Sequence, residues 1–210
     1  MEILIKTLSF QEWDGKIAVP FFFDLRKSVL LHLQTKLTMT TYTWEGYLQH
    51  FEQILSGEFT NELYEKADYK DYVRMNHSRM TRWLKSGDMN PELIQTIQQI
   101  NAPQTWYLIT EPWCGDAAHV TPFVALLAAK NQNIDLKIVL RDDNLTFMDQ
   151  YLTNGGRSIP KLIVRDEQDN DIFNWGPRPH ELSVIFADLK KNNAPFEVIH
   201  KTLQNWYNKN

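Results

Sequence analysis

The sequence predicts an α/β protein: a mixed β-sheet with helices on its faces, preceded by a helical N-terminal extension and closed by a C-terminal helix. Three observations carry this. From Thr105 onward, short β-branched and aromatic runs alternate with segments of helical period, in the order β-α-β-α-β-β-α. The last two strand runs, 161–164 and 172–175, are separated only by the polar turn 166–171, so they pair antiparallel. Before Thr105, residues 40–102 hold three capped amphipathic stripes and no strand pattern.

Each element has a local reason. Residues 3–5 and 17–23 read as short strands, with Pro20 demoting the second to an edge, and 25–37 as a helix. Met39 precedes the first clean helical signal and is read as a candidate translation start, with residues 1–38 packing poorly. The helix over 43–57 rests on Trp44, Tyr47, Leu48, Phe51, Ile54 and Leu55, with Thr43 as N-cap and Gly57 as its left-handed stop. The helix over 67–86 presents Tyr69, Tyr72, Val73, Asn76, Met80 and Trp83 on one face and stops at Gly87. Asn90-Pro91 opens a third, a capping residue followed by proline at the first helical position. These aromatic stripes read as core covering one side of the sheet rather than as a cofactor pocket.

The strand over 105–110 ends at Glu111-Pro112, because proline has no N–H for a ladder. A helix over 114–130, a strand over 134–140 and a short helix over 145–152 follow. After the Asn154-Gly155-Gly156 loop comes the hairpin, then a helix over 181–191 lying across it, then an amphipathic helix over 195–207. The organisation is an uncertain segment 1–38, a helical extension 39–102, and a sheet domain 103–210 with its C-terminal helix.

The bulk numbers exclude several classes. With 210 residues and 43% apolar content, the chain can build one domain with an extension, or two small ones. A net charge of −4, with acids and bases interspersed, offers no basic face for nucleic acid. One cysteine forbids any disulfide within the chain. No run approaches the roughly 18 apolar residues of a membrane span, and no leader pattern stands at the start. The expected compartment is the cytoplasm, with no membrane partner.

That cysteine, Cys114, sits where a strand hands over to a helix N-terminus. Free N–H groups and the helix dipole there favour a thiolate. Asp116, two residues on, disfavours it. The two effects oppose each other, and the sequence leaves both in play.

Trp113-Cys114-Gly115 looks like the start of a W-C-G-P-C motif, with Pro122 eight residues later, Ile159-Pro160 ahead of a strand and Gly176 ending the last one. In this order the landmarks resemble the thioredoxin superfamily over about residues 104–192. The blocks W-C-G-D, G-G-R-S-I-P and W-G-P-R-P are similar to a bacterial branch with a helical N-terminal extension. The resemblance implies a thioredoxin-like fold, a cis Ile159-Pro160 bond facing Cys114, and a groove where an extended strand pairs with the backbone before that proline. Three positions depart from the pattern: Ala117 replaces the second cysteine, Asp116 the motif proline, and Leu108 a buried aspartate. A dithiol enzyme attacks with one sulfur and closes with the other, and this chain lacks the second step.

The expected function is a thiol-dependent redox protein of monothiol type, with Cys114 attacking and an external thiol such as glutathione, or a partner protein, resolving. The alternative is a redox-inactive module that keeps the groove for an extended peptide. A third reading is a sensor in which Cys114 is oxidised to sulfenic acid or a mixed disulfide. The expected partners are protein thiols and disulfides or an extended peptide.

Each candidate residue has a plainer reading beside it. Cys114 is a nucleophile or a small apolar side chain. Asp116 contacts the thiol or, preferably, complements the helix dipole, worth about 0.3–1 kcal/mol. Arg157, three residues before Pro160, stabilises a thiolate or holds a glutathione carboxylate, or else is a solvated loop residue. Trp113, Ile159 and Pro160 wall a groove or pack two loops together. His119 lies round the helix from the thiol, and no histidine has ligand spacing with it, so no metal is expected. Asp142-Asp143 reads as a solvated turn.

Overall fold

The computed structural model describes residues 39–87 and 89–209. The readings made on 1–38, including the candidate start, lie outside them. Met39–Asn210 forms one compact unit, and among the described residues no helix is long and apolar enough to cross a membrane.

The helical stretch forms where its stripes and caps predict. Helix α1 (Trp44–Ser56) opens at Thr43, whose hydroxyl oxygen accepts from the Gly46 N–H at 3.0 Å, and closes at Gly57 in the left-handed region, φ 88°. Helix α2 (Ala67–Ser86) stops at Gly87, φ 61°. Helix α3 (Pro91–Gln98) opens with the Asn90 side chain accepting from the Glu92 N–H at 2.8 Å. Without a Cβ, both left-handed glycines end their helices at little cost.

The sheet has the order β2-β1-β3-β4. Strand β1 (Gln104–Thr110) pairs parallel with β2 (Ile134–Leu140), Leu108 opposite Ile138. Strand β3 (Lys161–Arg165) runs antiparallel to β1 and to β4 (Asp171–Trp175), which confirms the hairpin. Tyr42 adds a bridge on the outer side of β2, exchanging two backbone hydrogen bonds of 2.8 Å with Ile138.

Alternation along β1 divides the core in two. Leu108 joins Tyr47, Phe51, Val73 and Met80 on the side covered by α1 and α2. Tyr107 and Ile109 join Phe147, Met148, Ile163 and Cys114 on the other. Helix α4 (Ala117–Ala128), which follows β1, packs along α2. Of the aromatic stripes, Tyr47 and Phe51 are core and Trp44 and Tyr69 pack against it, as their spacing predicts, while Trp83 lines a cavity.

Three expectations are corrected. The helix after Cys114 begins at Ala117, not at the cysteine, because residues 112–116 form a turn that precedes it. Helix α5 (Leu145–Met148) is half its expected length. Tyr151 is drawn away to donate to the Asp171 carboxylate at 2.8 and 2.9 Å and to accept from Arg165 at 2.7 Å. Helix α6 (His180–Lys191) packs chiefly on α7 (Phe196–Lys209) rather than across the hairpin. Among the described residues no strand pairs with the outer side of β4, and Ile172 and Phe173 are 53% and 52% exposed. That edge borders an apolar cavity of about 670 Å³ against the sheet face, walled by Trp106, Val124, Val164 and Phe173.

Candidate thiol site and groove

The turn after β1 is held from outside the strand-helix unit. Asn76, on the buried face of α2, donates to the Pro112 carbonyl at 3.0 Å and accepts from Arg79 at 2.9 Å. The Cys114 N–H donates to the Glu111 carbonyl at 3.0 Å, and its own carbonyl accepts from the Ala118 N–H at 3.2 Å. The cysteine therefore sits one turn ahead of α4, with its sulfur near the first free N–H groups.

Cys114 is only 8% exposed. Its thiol donates to the carbonyl of Ile159, 3.5 Å away. Burial pushes the thiol up to about 12, and the Asp116 carboxylate adds to the rise. The N–H groups of Ala117 and Asp116 and the charge of Arg178 pull the other way and are outweighed. Burial, with the carboxylate adding to it, decides the direction against the helix terminus.

Asp116 stands at the N-cap position of α4, where an acid complements the helix dipole, makes no side-chain capping hydrogen bond, and has specific partners as well. Arg178 lies 2.6 Å from one carboxylate oxygen, and the Tyr207 hydroxyl donates to the other at 3.1 Å. Arg178 in turn rests on the Phe186 ring, 4.1 Å from its centroid. The carboxylate joins the turn, the loop after β4 and helix α7.

Arg157 is an exposed loop residue, in keeping with the plainer of its two readings. It makes a two-pronged bond to Asp149 at 2.6 and 2.8 Å at the rim of the groove, and Arg178 is the arginine whose charge acts on the sulfur. Trp113 is half-buried, with Arg141 over its ring at 4.8 Å and Tyr69 edge-on at 6.1 Å. Ile159 and Pro160 are buried, and the bond between them is cis, as the resemblance implies. Gly176-Pro177 is a second cis bond, one that the sequence pattern does not announce. Together Tyr69, Trp113, Cys114, Ile159, Arg178 and His200 border a groove of about 620 Å³.

Sequence reasoning missed Asn76, Arg79, Arg178 and Tyr207 as parts of the site. A signal existed for two: Asn76 is a polar residue on an apolar stripe, and Arg178 stands inside the W-G-P-R-P block. Glu111 reads in the sequence only as a strand terminator, yet it is 4% exposed, accepts from the Asp142 N–H at 2.8 Å, and is pushed up to about 8 by burial. His119 is a core residue. Its Nδ1 accepts from the Trp83 indole at 2.9 Å, which leaves the proton on Nε2 facing Gln204 at 3.2 Å. Burial lowers it to about 4, and its ring stacks on Tyr207 at 4.3 Å. No cluster of three metal-ligating side chains occurs among the described residues.

Among solved structures the chain is similar to a protein of unknown function from Pseudomonas aeruginosa. The two are 18% identical, with a TM-score of 0.46, 68% of this chain covered and 83% of that one. It is also similar to an HIV epitope scaffold, 19% identical with a TM-score of 0.48, covering 65% of this chain and 81% of the other. No curated protein matches it. A family model described as Thioredoxin matches residues 63–190, more than half of the chain, from before α2 to within α6. A mixed sheet flanked by helices, with Cys114 in the turn after β1 facing the residue before a cis-proline, agrees with that match, and the chain belongs to this thioredoxin family.

Proposed function

We propose that this protein is a thioredoxin-fold binding module. Its groove, walled by Trp113 and by Ile159 ahead of Pro160, seats an extended polypeptide segment by strand addition while Cys114 rests as a protonated thiol. One observation carries the reading: the thiol donates to the Ile159 carbonyl, the backbone acceptor that an added strand needs. A sulfur that is buried, committed to that carbonyl and close to a carboxylate is a packed donor rather than a free nucleophile. An entering strand supplies its own N–H to Ile159 and displaces the thiol from it.

A second reading, monothiol exchange, is favoured by the N–H groups of Ala117 and Asp116 that act on the sulfur. Once a strand occupies the Ile159 carbonyl, the thiol loses its acceptor and these donors stabilise the thiolate. The thiolate then attacks a partner disulfide or glutathione disulfide. A bond forms between Cys114 and one sulfur, the original S–S bond breaks, and the displaced sulfur leaves as thiolate. An external thiol frees Cys114 by the same exchange, since the chain has no second cysteine.

An array of extended peptides, probed with the purified chain and with Cys114→Ser, separates the two. The binding reading expects peptides held equally by both proteins and untouched by reductant. Capture that vanishes in Cys114→Ser and is released by reductant establishes exchange instead. An array on which neither protein retains a peptide overturns the groove.

A further inference from the structure

A second cavity, of about 270 Å³, lies among α2, the Gly115-Asp116 turn, the loop before α6, and helices α6 and α7. Cys114 does not line it, but its wall shares Arg79, Asp116, Arg178, Phe196 and His200 with the groove. Among the described residues three basic side chains line it, Arg79, Arg178 and Lys190, against a single carboxylate, Asp116.

The three cations differ in how they are partnered, and Lys190 is exposed to solvent. Arg178 gives one guanidinium nitrogen to Asp116, while its Nε is buried with no partner among the described residues. Arg79 donates only to Asn76, with no carboxylate at ion-pair distance among the described residues, and burial together with Arg82 lowers its pKa. Lys190 lies over the Phe186 ring at 5.8 Å and is likewise without an ion pair among the described residues. Arg79 is half-buried with no carboxylate beside it among the described residues, so an entering anion supplies a charge-assisted partner. The remaining wall is apolar and aromatic, with Phe186, Phe196, Ile199 and Leu203 beside His200.

We propose that this cavity is a binding site for a small organic anion with a carboxylate or phosphate head and a compact apolar body. Arg79 and the guanidinium of Arg178 hold the head, and the Phe186–Phe196 wall takes the body. Asp116 is the internal competitor, since it already pairs with Arg178. That competition gives the site a signature: removing the carboxylate strengthens anion binding, whereas a purely structural ion pair would only loosen the fold.

The test is calorimetric titration of the full chain at low ionic strength with inorganic phosphate and, separately, with benzoate. Each variant is checked for an unchanged far-UV spectrum. The expected result is saturable binding of at least one probe, weakened at least tenfold by Arg79→Gln, tightened severalfold by Asp116→Asn and unchanged in Cys114→Ser. Tighter phosphate binding identifies a phosphate head, and tighter benzoate binding a carboxylate on an apolar body. Arg79→Gln is the decisive variant, because among the described residues Arg79 bonds only to Asn76, and the variant keeps both partners of the Arg178–Asp116 pair. Absence of saturable binding by either probe, or binding indifferent to Arg79→Gln, overturns the proposal.

Discussion

At the scale of the residue, the site is a set of ionisable groups held in the state they disfavour in water. Glu111 is the clearest. Its carboxyl titrates near 4.5 ordinarily and at about 8 in the fold, so between those values the folded chain binds more protons than the unfolded one. Stability therefore falls as pH rises through that window. His119 acts in the opposite sense: lowered from 6.5 to about 4, it contributes stability that is lost as pH falls through its window. The two offset each other at mildly acidic pH, and above the ordinary histidine value only the decline from Glu111 remains. Urea unfolding from pH 6.5 to 8 should show that decline in the parent protein and its removal in Glu111→Gln. At about 1.4 kcal/mol per pH unit, the difference is about 2 kcal/mol over the window. Parallel profiles for the two proteins would mean that Glu111 is not held protonated. Residues with singular chemistry were legible in advance: Cys114 as the only sulfur nucleophile, and Pro160 and Gly176 by their place in the strand pattern. The partner of Arg157 was not, because Asp149 meets it only once the loop after α5 has folded back.

At the scale of the element, local chemistry was a good guide wherever it acts alone. Thr43, Gly57, Gly87 and Asn90-Pro91 set their helix ends within a residue or so, because capping needs only neighbours in sequence. The start of α4 and the length of α5 escaped because Asp116 and Tyr151 are drawn to partners far along the chain. The junction after β4 shows how tightly two elements meet. Gly176 has φ 125°, and a Cβ there would overlap the Pro160 carbonyl oxygen and lie 3.2 Å from the Lys161 Cα. Gly176→Ala therefore has to displace the loop that carries Pro160. It should destabilise the protein by about 1–3 kcal/mol and weaken any ligand of the groove. Thermal unfolding checks the first effect and peptide binding the second. An unshifted melting temperature would show that the two loops are not in obligatory contact.

At the scale of the whole molecule, the added helices are part of the site rather than a cover for it. Asn76 from α2 anchors the turn that carries the thiol, and Tyr207 from α7 holds the carboxylate beside it. Neither element belongs to the β-α-β-α-β-β-α order that made the fold readable. The sequence pattern therefore disclosed the sheet and the thiol but not the surroundings that set the state of the thiol. Those surroundings come from tertiary packing of distant stretches, and no local spacing encodes it. Such packing keeps Cys114 protonated and enclosed, and the function proposed for the groove depends on that state. The deciding measurement is the rate of Cys114 alkylation by iodoacetamide as a function of pH, native against denatured. An enclosed thiol gives a native rate far below that of the unfolded chain, rising only toward the value of about 12 that burial and Asp116 impose. A native thiol that titrates at or below the ordinary value of about 8.5 and reacts as fast as the unfolded chain would refute the enclosure.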